Sequence, residues 1–238
     1  MIEQQPFRTV TPGHQPSNDS PAYNSTRSRH PKQPLLRIPQ TITEIGGPQF
    51  SPAAYPAITD LSQQDGRGAL GERIIVRGRV LDEDGRPVPL TMIEIWQANA
   101  AGRYDHARDT HDAPLDPNFH GEARVFTDAD GWYGYTTIKP GAYPWRNHAN
   151  AWRPNHIHYS LFGAGFATRL VTQMYFPGDP LLPLDPIFNA VPDPAARQGL
   201  VAAFDLAITQ PERALGYRFD VVLRGRDATP FENAGLEH

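Results

Sequence analysis

The sequence predicts an all-β-dominated protein, an antiparallel Greek-key β-sandwich with an extended N-terminal arm and one or two short helices. Three observations predict it. From residue 73 onward, short runs of β-branched and aromatic residues alternate with Gly- and Pro-containing turns, the pattern of strands in a sandwich. Two Asp–Gly steps, Asp84–Gly85 and Asp130–Gly131, fall between such runs, and Asp–Gly suits tight hairpin turns because glycine takes positive φ without steric cost. Ten of the 25 prolines lie between Pro6 and Pro56, and proline cannot donate to a strand ladder. The division expected is an arm over residues 1–70 and a sandwich domain over 71–238.

The elements follow in order. The arm shows no sustained period, yet it carries Tyr23, Leu35, Leu36, Ile38 and Phe50, enough apolar surface to dock on its own domain or on another subunit. RIIVRGRVL at 73–81 reads as a strand, and DEDGRPV supplies turn residues after it. LTMIEIW at 90–96 is the next strand, with Met92, Glu94 and Trp96 on one face and Ile93 and Ile95 on the other. ARVFTDADGWYGYTTI at 123–138 reads as a hairpin centred on Asp128–Ala129–Asp130–Gly131. HIHYSLF, LVTQMYF and YRFDVVLR give three further strands. A helix is expected over 194–208, where proline opens the segment and Leu200, Phe204 and Ile208 recur at helical spacing.

Composition narrows the function. The formal net charge is −4 and the sequence pI is about 6.1, and no run of Lys or Arg offers a nucleic-acid footprint. The chain has no cysteine, which removes thiolate catalysis, disulfides and Cys-based metal sites. It has no signal-peptide pattern at its start and no apolar run of about 18 residues that would span a membrane. A soluble cytoplasmic protein with no nucleic-acid or membrane partner is the expectation.

The chemistry-bearing run is Arg153-Pro-Asn-His156-Ile-His158. Histidines at i and i+2 of a strand share a face, so their nitrogens can meet one metal ion. By itself this pair stands open between a zinc or iron site and two structural histidines. The preceding proline-broken loop, KPGAYPWRNHANAWRP, holds Tyr143, Trp145 and Trp152. Tyr143 lies 13 residues before His156. A phenol titrates near 10, and direct coordination to a highly charged cation lowers that value strongly. Tyrosine beside two imidazoles therefore suits Fe(III) better than Zn(II), which takes His, Cys and carboxylate. An aromatic packed into a loop corner is the other reading of Tyr143.

Seven runs in order, IEIWQANAAGRY, APLDPNF, TDADGWY, TIKPGAYPWRN, WRPNHIH, TQMYFPGDP and YRFDVVLRG, resemble the intradiol ring-cleavage dioxygenases. Within that family they resemble the iron-bearing β chains of the protocatechuate-cleaving branch. The resemblance spans about Tyr23 to Glu232. It implies a non-haem Fe(III), one per chain, with Tyr104 of the G-R-Y run, Tyr143, His156 and His158 as ligands. Spacing alone does not single out Tyr104 among nine tyrosines. The resemblance further implies catalytic roles for Tyr143, Arg153 and Gln173, and substrate contacts from Tyr23, Trp145, Arg153, Gln173 and Ile187. Trp96 and Tyr175 would pack behind the site. His120-Gly121-Glu122 departs from the family pattern, and His106, His111 and His120 are expected outside the ligand set.

The implied reaction is cleavage of protocatechuate by O2, between its two hydroxyl-bearing carbons, to 3-carboxy-cis,cis-muconate in aromatic catabolism through the β-ketoadipate pathway. The implied partner is an α chain of similar fold that completes αβ units of a hetero-oligomer. Three other readings compete: an intradiol enzyme for catechol or hydroxyquinol, a transthyretin-like scaffold, and a zinc hydrolase built on His156 and His158. The proline-rich arm disfavours the first, the full Tyr/Tyr/His-x-His set disfavours the second, and the lack of a nearby carboxylate ligand disfavours the third.

Overall fold

The computed structural model describes residues 10–34, 50–63, 66–163 and 169–232. Its strands form two principal sheets. The first is built on β1 (Arg73–Leu81) and β4 (Trp132–Ile138), which pair antiparallel. On its other edge β1 runs parallel to β10 (Leu215–Arg218) and then to β11 (Val221–Val222) at the same register offset. These two strands are one run interrupted at Phe219 and Asp220, matching the single late strand expected from YRFDVVLR. Among the named strands these pairings of β1 are the parallel ones, and isolated parallel bridges join Asp60 to Thr136 and Tyr175 to Val201. β9 (Ala203–Phe204) closes that sheet against β10. The second sheet is β3 (Glu122–Phe126), β2 (Met92–Trp96), β7 (His156–Phe162) and β8 (Arg169–Tyr175), antiparallel throughout and in that order.

The core lies between the sheets because alternation sends one set of side chains inward from each. Ile74, Val76, Val80, Tyr133, Tyr135, Tyr217 and Phe219 come from the first sheet and its strand break; Ile93, Ile95, Val125, Ile157, Tyr159 and Leu161 come from the second. Gly78 is required here. A Cβ at that position would collide with the Phe219 carbonyl oxygen.

Two expectations are corrected. The turn centred on Asp130–Gly131 forms, with Gly131 at φ 75 and its amide bonded to Asp128, yet β3 and β4 do not pair with each other. β3 pairs with β2 and β4 with β1, so the turn carries the chain from one sheet to the other. Turn chemistry sets a local reversal; the choice of pairing partner is set by which faces become buried. The expected helix over 194–208 shrinks to α3 (Pro194–Gln198), capped by Asp193. Beyond it the backbone is drawn onto β8: Tyr175 N donates to Leu200 O at 2.8 Å and Ala202 N to Tyr175 O at 2.9 Å. Those groups satisfy the edge of β8 in place of a helix. Of the three residues at helical spacing, Leu200 is buried, Ile208 is half-buried and Phe204 is exposed, so the spacing did not mark one continuous buried face.

The other helices are short: α1 (Asn24–Arg29), α2 (Pro186–Asn189) and a 3-10 turn at Leu182–Leu184. No described helix is long and apolar enough to cross a membrane. The described part of the arm docks on its own chain. Asn24 N donates to Asn147 Oδ1 at 2.8 Å, and Asn147 Nδ2 donates to Ala22 O at 2.7 Å. Phe50 packs on Phe162 with ring centroids 4.8 Å apart. Leu35, Leu36 and Ile38 lie outside the described residues.

Candidate metal centre

The site forms on the face of the second sheet that points away from the core. Trp96, His158 and Gln173 are directly opposite one another across β2, β7 and β8, and His156 is opposite Tyr175. Three strands thus present one lateral row of side chains, with the Trp96 and His158 rings stacked at 4.8 Å and an interplanar angle of 4°. Loops cover this row. The two-residue strands β5 (Tyr143–Pro144) and β6 (Trp152–Arg153) pair so that Tyr143 faces Arg153. Asn150, at φ 61, makes part of the intervening turn, a conformation asparagine tolerates better than most residues.

Tyr104 reaches the site from a separate loop. Arg103 N donates to Asn99 Oδ1 and Tyr104 N to Asp109 Oδ2, which fixes the backbone around it. Gly102, at φ 79, and Gly141 allow this loop to lie against the loop of Tyr143. A Cβ on Gly102 would strike the Ala142 carbonyl oxygen, and one on Gly141 would strike that of Ala100. The G of the G-R-Y run and the G before Ala-Tyr-Pro therefore serve one contact.

Four donor atoms converge. Tyr143 Oη is 3.1 Å from His156 Nε2, the two Nε2 atoms are 3.2 Å apart, and His158 Nε2 is 3.1 Å from Tyr104 Oη. Ligands held about 2 Å from a common ion stand about 3 Å from one another. Each imidazole has its other nitrogen engaged: His156 Nδ1 lies 2.6 Å from the Pro154 carbonyl oxygen and His158 Nδ1 lies 3.4 Å from Glu232 Oε2. A ring N–H aimed at each of those oxygens leaves both Nε2 atoms as bare lone pairs. Two lone pairs facing each other repel, and a shared cation turns that arrangement to advantage. Burial, the Arg153 charge and His158 hold His156 well below its ordinary pKa, in the neutral form a ligand needs. The donor set fits a hard ion with phenolate ligands. Among the described residues no three His, Cys, Asp or Glu side chains converge, so a zinc hydrolase reading has no third ligand.

Behind the donors lies a buried polar network that sequence reasoning missed in part. Arg153 Nη2 donates to Gln173 Oε1 at 2.5 Å, to Asp185 Oδ2 at 3.2 Å and to Tyr175 Oη at 3.3 Å. Tyr175 Oη donates to Gln173 Oε1 at 2.7 Å. Burial, then the Asp185 charge, pushes the Tyr175 phenol well up, so it stays a donor. Burial pushes the Glu232 carboxyl up, but His158, Arg153 and Gln173 outweigh it and lower it on balance. Asp185 and Glu232 are the two functional candidates absent from the sequence reading. Asp185 was legible as a helix cap, since Asp before Pro marks a helix start. Glu232 carried no local signal.

The remaining expected residues take their places around this frame. The Arg153 guanidinium lies over the Trp145 ring at 5.3 Å, and Trp145 packs on buried Tyr23 at 5.5 Å. The Trp145 indole N–H is buried with no hydrogen-bond partner among the described residues. Ile187 is buried on α2 and tied to the network by its amide, which donates to Asp185 Oδ1 at 3.2 Å. His106, His111 and His120 have no part in the donor set: Arg108 N donates to His106, the His111 ring packs edge-on to Trp152, and His120 Nδ1 lies 3.1 Å from Asp105 Oδ2. The departing His120-Gly121-Glu122 run is held by Gln97 N donating to Gly121 O at 3.0 Å.

A family profile described as Dioxygenase matches residues 45–225. A second, Protocatechuate 3,4-dioxygenase beta subunit N terminal, matches residues 10–41. The chain is 55% identical over 229 residues to the protocatechuate 3,4-dioxygenase beta chain of Burkholderia cepacia, covering 94% of this chain and 97% of that one. It is 32% identical over 210 residues to the protocatechuate 3,4-dioxygenase alpha chain of Pseudomonas putida, covering 83% and 98%. Among solved structures, 3-chlorocatechol 1,2-dioxygenase from Rhodococcus opacus 1CP superimposes with a TM-score of 0.53 at 25% identity, covering 82% of this chain and 73% of that one.

Proposed function

The chain belongs to the intradiol ring-cleavage dioxygenase family, and on that premise we propose that it cleaves protocatechuate with O2 as the iron-bearing β chain of a two-chain enzyme. The product is 3-carboxy-cis,cis-muconate. The single observation that carries the reading is the convergence of Tyr104, Tyr143, His156 and His158, with both imidazole Nδ1 atoms engaged elsewhere. The family's non-haem iron would be held by these four side chains as Fe(III), one per chain. It would supply Lewis acidity toward a bound catechol.

The chain's own residues do the rest. Tyr143 takes a substrate proton at Oη when the catechol binds, while Tyr104 keeps its place. Tyr143 suits this task because it sits on a two-residue strand opposite Arg153, whereas Tyr104 is anchored by the Asn99 and Asp109 side chains bonded to its loop. Arg153 stabilises the negative charge that develops on the ring, since a guanidinium stays charged and presents donors in fixed directions. Gln173 orients the substrate by hydrogen bonding, its amide direction set by the two donors on Oε1. Tyr23, Trp145 and Ile187 wall the ring. An α chain of similar fold shares the site.

Oxygen uptake by the chain co-expressed with its α chain checks the reading. Protocatechuate should be consumed well above catechol, with one O2 per ring. Preference for catechol would replace the substrate assignment. The loaded protein should be burgundy from tyrosinate-to-iron charge transfer, and a colourless protein carrying one iron per chain would sink the ligand set.

A further inference from the structure

We propose that Asp185 is a positioning residue for the reaction, holding the Arg153 guanidinium with one carboxylate oxygen and the helix that carries Ile187 with the other. The proposal rests on the roles of Arg153 and Ile187 proposed above and extends them to a residue that does not itself touch substrate.

The geometry starts from burial. Arg153 and Asp185 are both fully buried, with Nη2 and Oδ2 3.2 Å apart. A buried guanidinium needs an anion, because an uncompensated charge in a low-dielectric interior is strongly unfavourable. Of the three acceptors on Nη2, Gln173 and Tyr175 are neutral and Asp185 alone is a carboxylate. Asp185 therefore directs the guanidinium as well as offsetting its charge, an offset to which the nearby Glu232 carboxylate adds.

Asp185 is itself rigid. Its amide donates to Leu182 O at 3.2 Å, closing the 3-10 turn, and its Oδ1 accepts from Ile187 N at 3.2 Å, opening α2. Two short helical turns meet at this residue, so its carboxylate has a fixed direction. The chain of contacts then runs Asp185 to Arg153, Arg153 to Gln173 Oε1, and Tyr175 to the same Oε1. Both polar side chains assigned to the substrate, and one apolar wall, are thereby referenced to one carboxylate on a rigid turn. A misplacement of about 1 Å in such a group is enough to cost on the order of 100-fold in rate.

The test separates this role from simple helix capping. Asparagine caps a helix about as well as aspartate, so Asp185→Asn keeps the cap and the volume and removes only the anion. In the αβ holoenzyme, D185N should retain iron and the burgundy band. Its kcat for protocatechuate should fall about 10- to 100-fold, with KM changed less than about threefold. In an Arg153→Leu background the same substitution should cost less than about twofold further, because the partner is already gone. The iron-free chain gives a second readout. D185N and R153L should each lower the thermal midpoint by several degrees, and the double variant should recover part of that loss. A kcat for D185N within twofold of the parent, or effects of the two substitutions that simply add, would overturn the proposal. If D185N does not fold, Asp185→Ser, also a good cap, carries the same comparisons. Should the parent fail to consume oxygen with protocatechuate, the functional reading falls, while the thermal cycle still reports whether Asp185 holds Arg153.

Discussion

Glu232 shows how a single residue can matter without any local signal. It lies 74 positions beyond His158 yet its carboxylate faces the His158 Nδ1, and its amide anchors to Val171 O at 2.8 Å. A carboxylate behind a histidine ligand orients the ring and raises its basicity. Glu232→Gln should therefore weaken iron retention about 10- to 100-fold, read by competition with a chelator; unchanged retention would remove the role. Tyr143→Phe should slow turnover and weaken the visible band while His156, whose Nδ1 lies beside Pro154 O, stays in place. Stopped-flow absorbance at substrate binding checks it, and an unchanged proton-uptake step would count against Tyr143. His156 and His158 were legible as a pair because a strand's period of two is a local rule. Tyr104 was not, because its neighbours in the site come from 39 and more positions away, and only the family pattern singled it out.

At the scale of elements, close approach of loops decides the site. Gly102 and Gly141 let the two tyrosine-bearing loops touch. Gly102→Ala would add a Cβ against the Ala142 carbonyl and place a non-glycine residue at φ 79, a conformation costing about 1–2 kcal/mol. The expected outcome is a folded protein with loss of colour, since the Tyr104 loop must shift while the sheets remain; circular dichroism and iron analysis together read it. Full colour would show that the loop contact is dispensable. Gly78→Ala acts elsewhere. Its Cβ would strike the Phe219 carbonyl inside the first sheet, so the cost of about 3 kcal/mol should appear in stability, read by urea unfolding. The strands β1, β2, β7 and β8 were legible from alternation. The pairing across the Asp130–Gly131 turn was not, because turn residues report a reversal and say nothing of which sheet receives each strand.

For the whole molecule, the arm and the interior charges set the conditions of function. Asn147 clamps the arm through Asn24 and Ala22, and Tyr23 packs behind Trp145. Asn147→Ala should loosen the arm, raising KM for protocatechuate several-fold and exposing residues near Tyr23 to protease; unchanged values in both would detach the arm from the substrate wall. Acid should destabilise the iron-free protein. His156 has its folded pKa lowered from the ordinary 6.5, so the unfolded chain takes up a proton there first and stability falls as pH drops below about 6.5. Glu232 is likewise lowered from 4.5, and its contribution, present above that value, is lost as pH falls through its folded pKa. Both effects have one sign. Thermal midpoints should decline from pH 8 to pH 5 through His156 and further below pH 4.5 through Glu232, and a flat profile between pH 8 and pH 5 would contradict the burial of His156.

The sequence alone determined the strands, the arm, the absence of thiol chemistry and the shared face of His156 and His158, because each depends on neighbours within a few positions. Through its family pattern it also supplied the proposed ligand set. Only the tertiary structure decided which strands pair, where the predicted helix stops, and which buried carboxylates lie beside Arg153 and His158. Those outcomes depend on which long-range partners satisfy a backbone edge or a buried charge. Tyr175 pairs with the Leu200 carbonyl and the Ala202 amide, groups that would have extended α3, and Arg153 takes Asp185, 32 positions away, as its counter-ion. Spacing along the chain does not encode either choice.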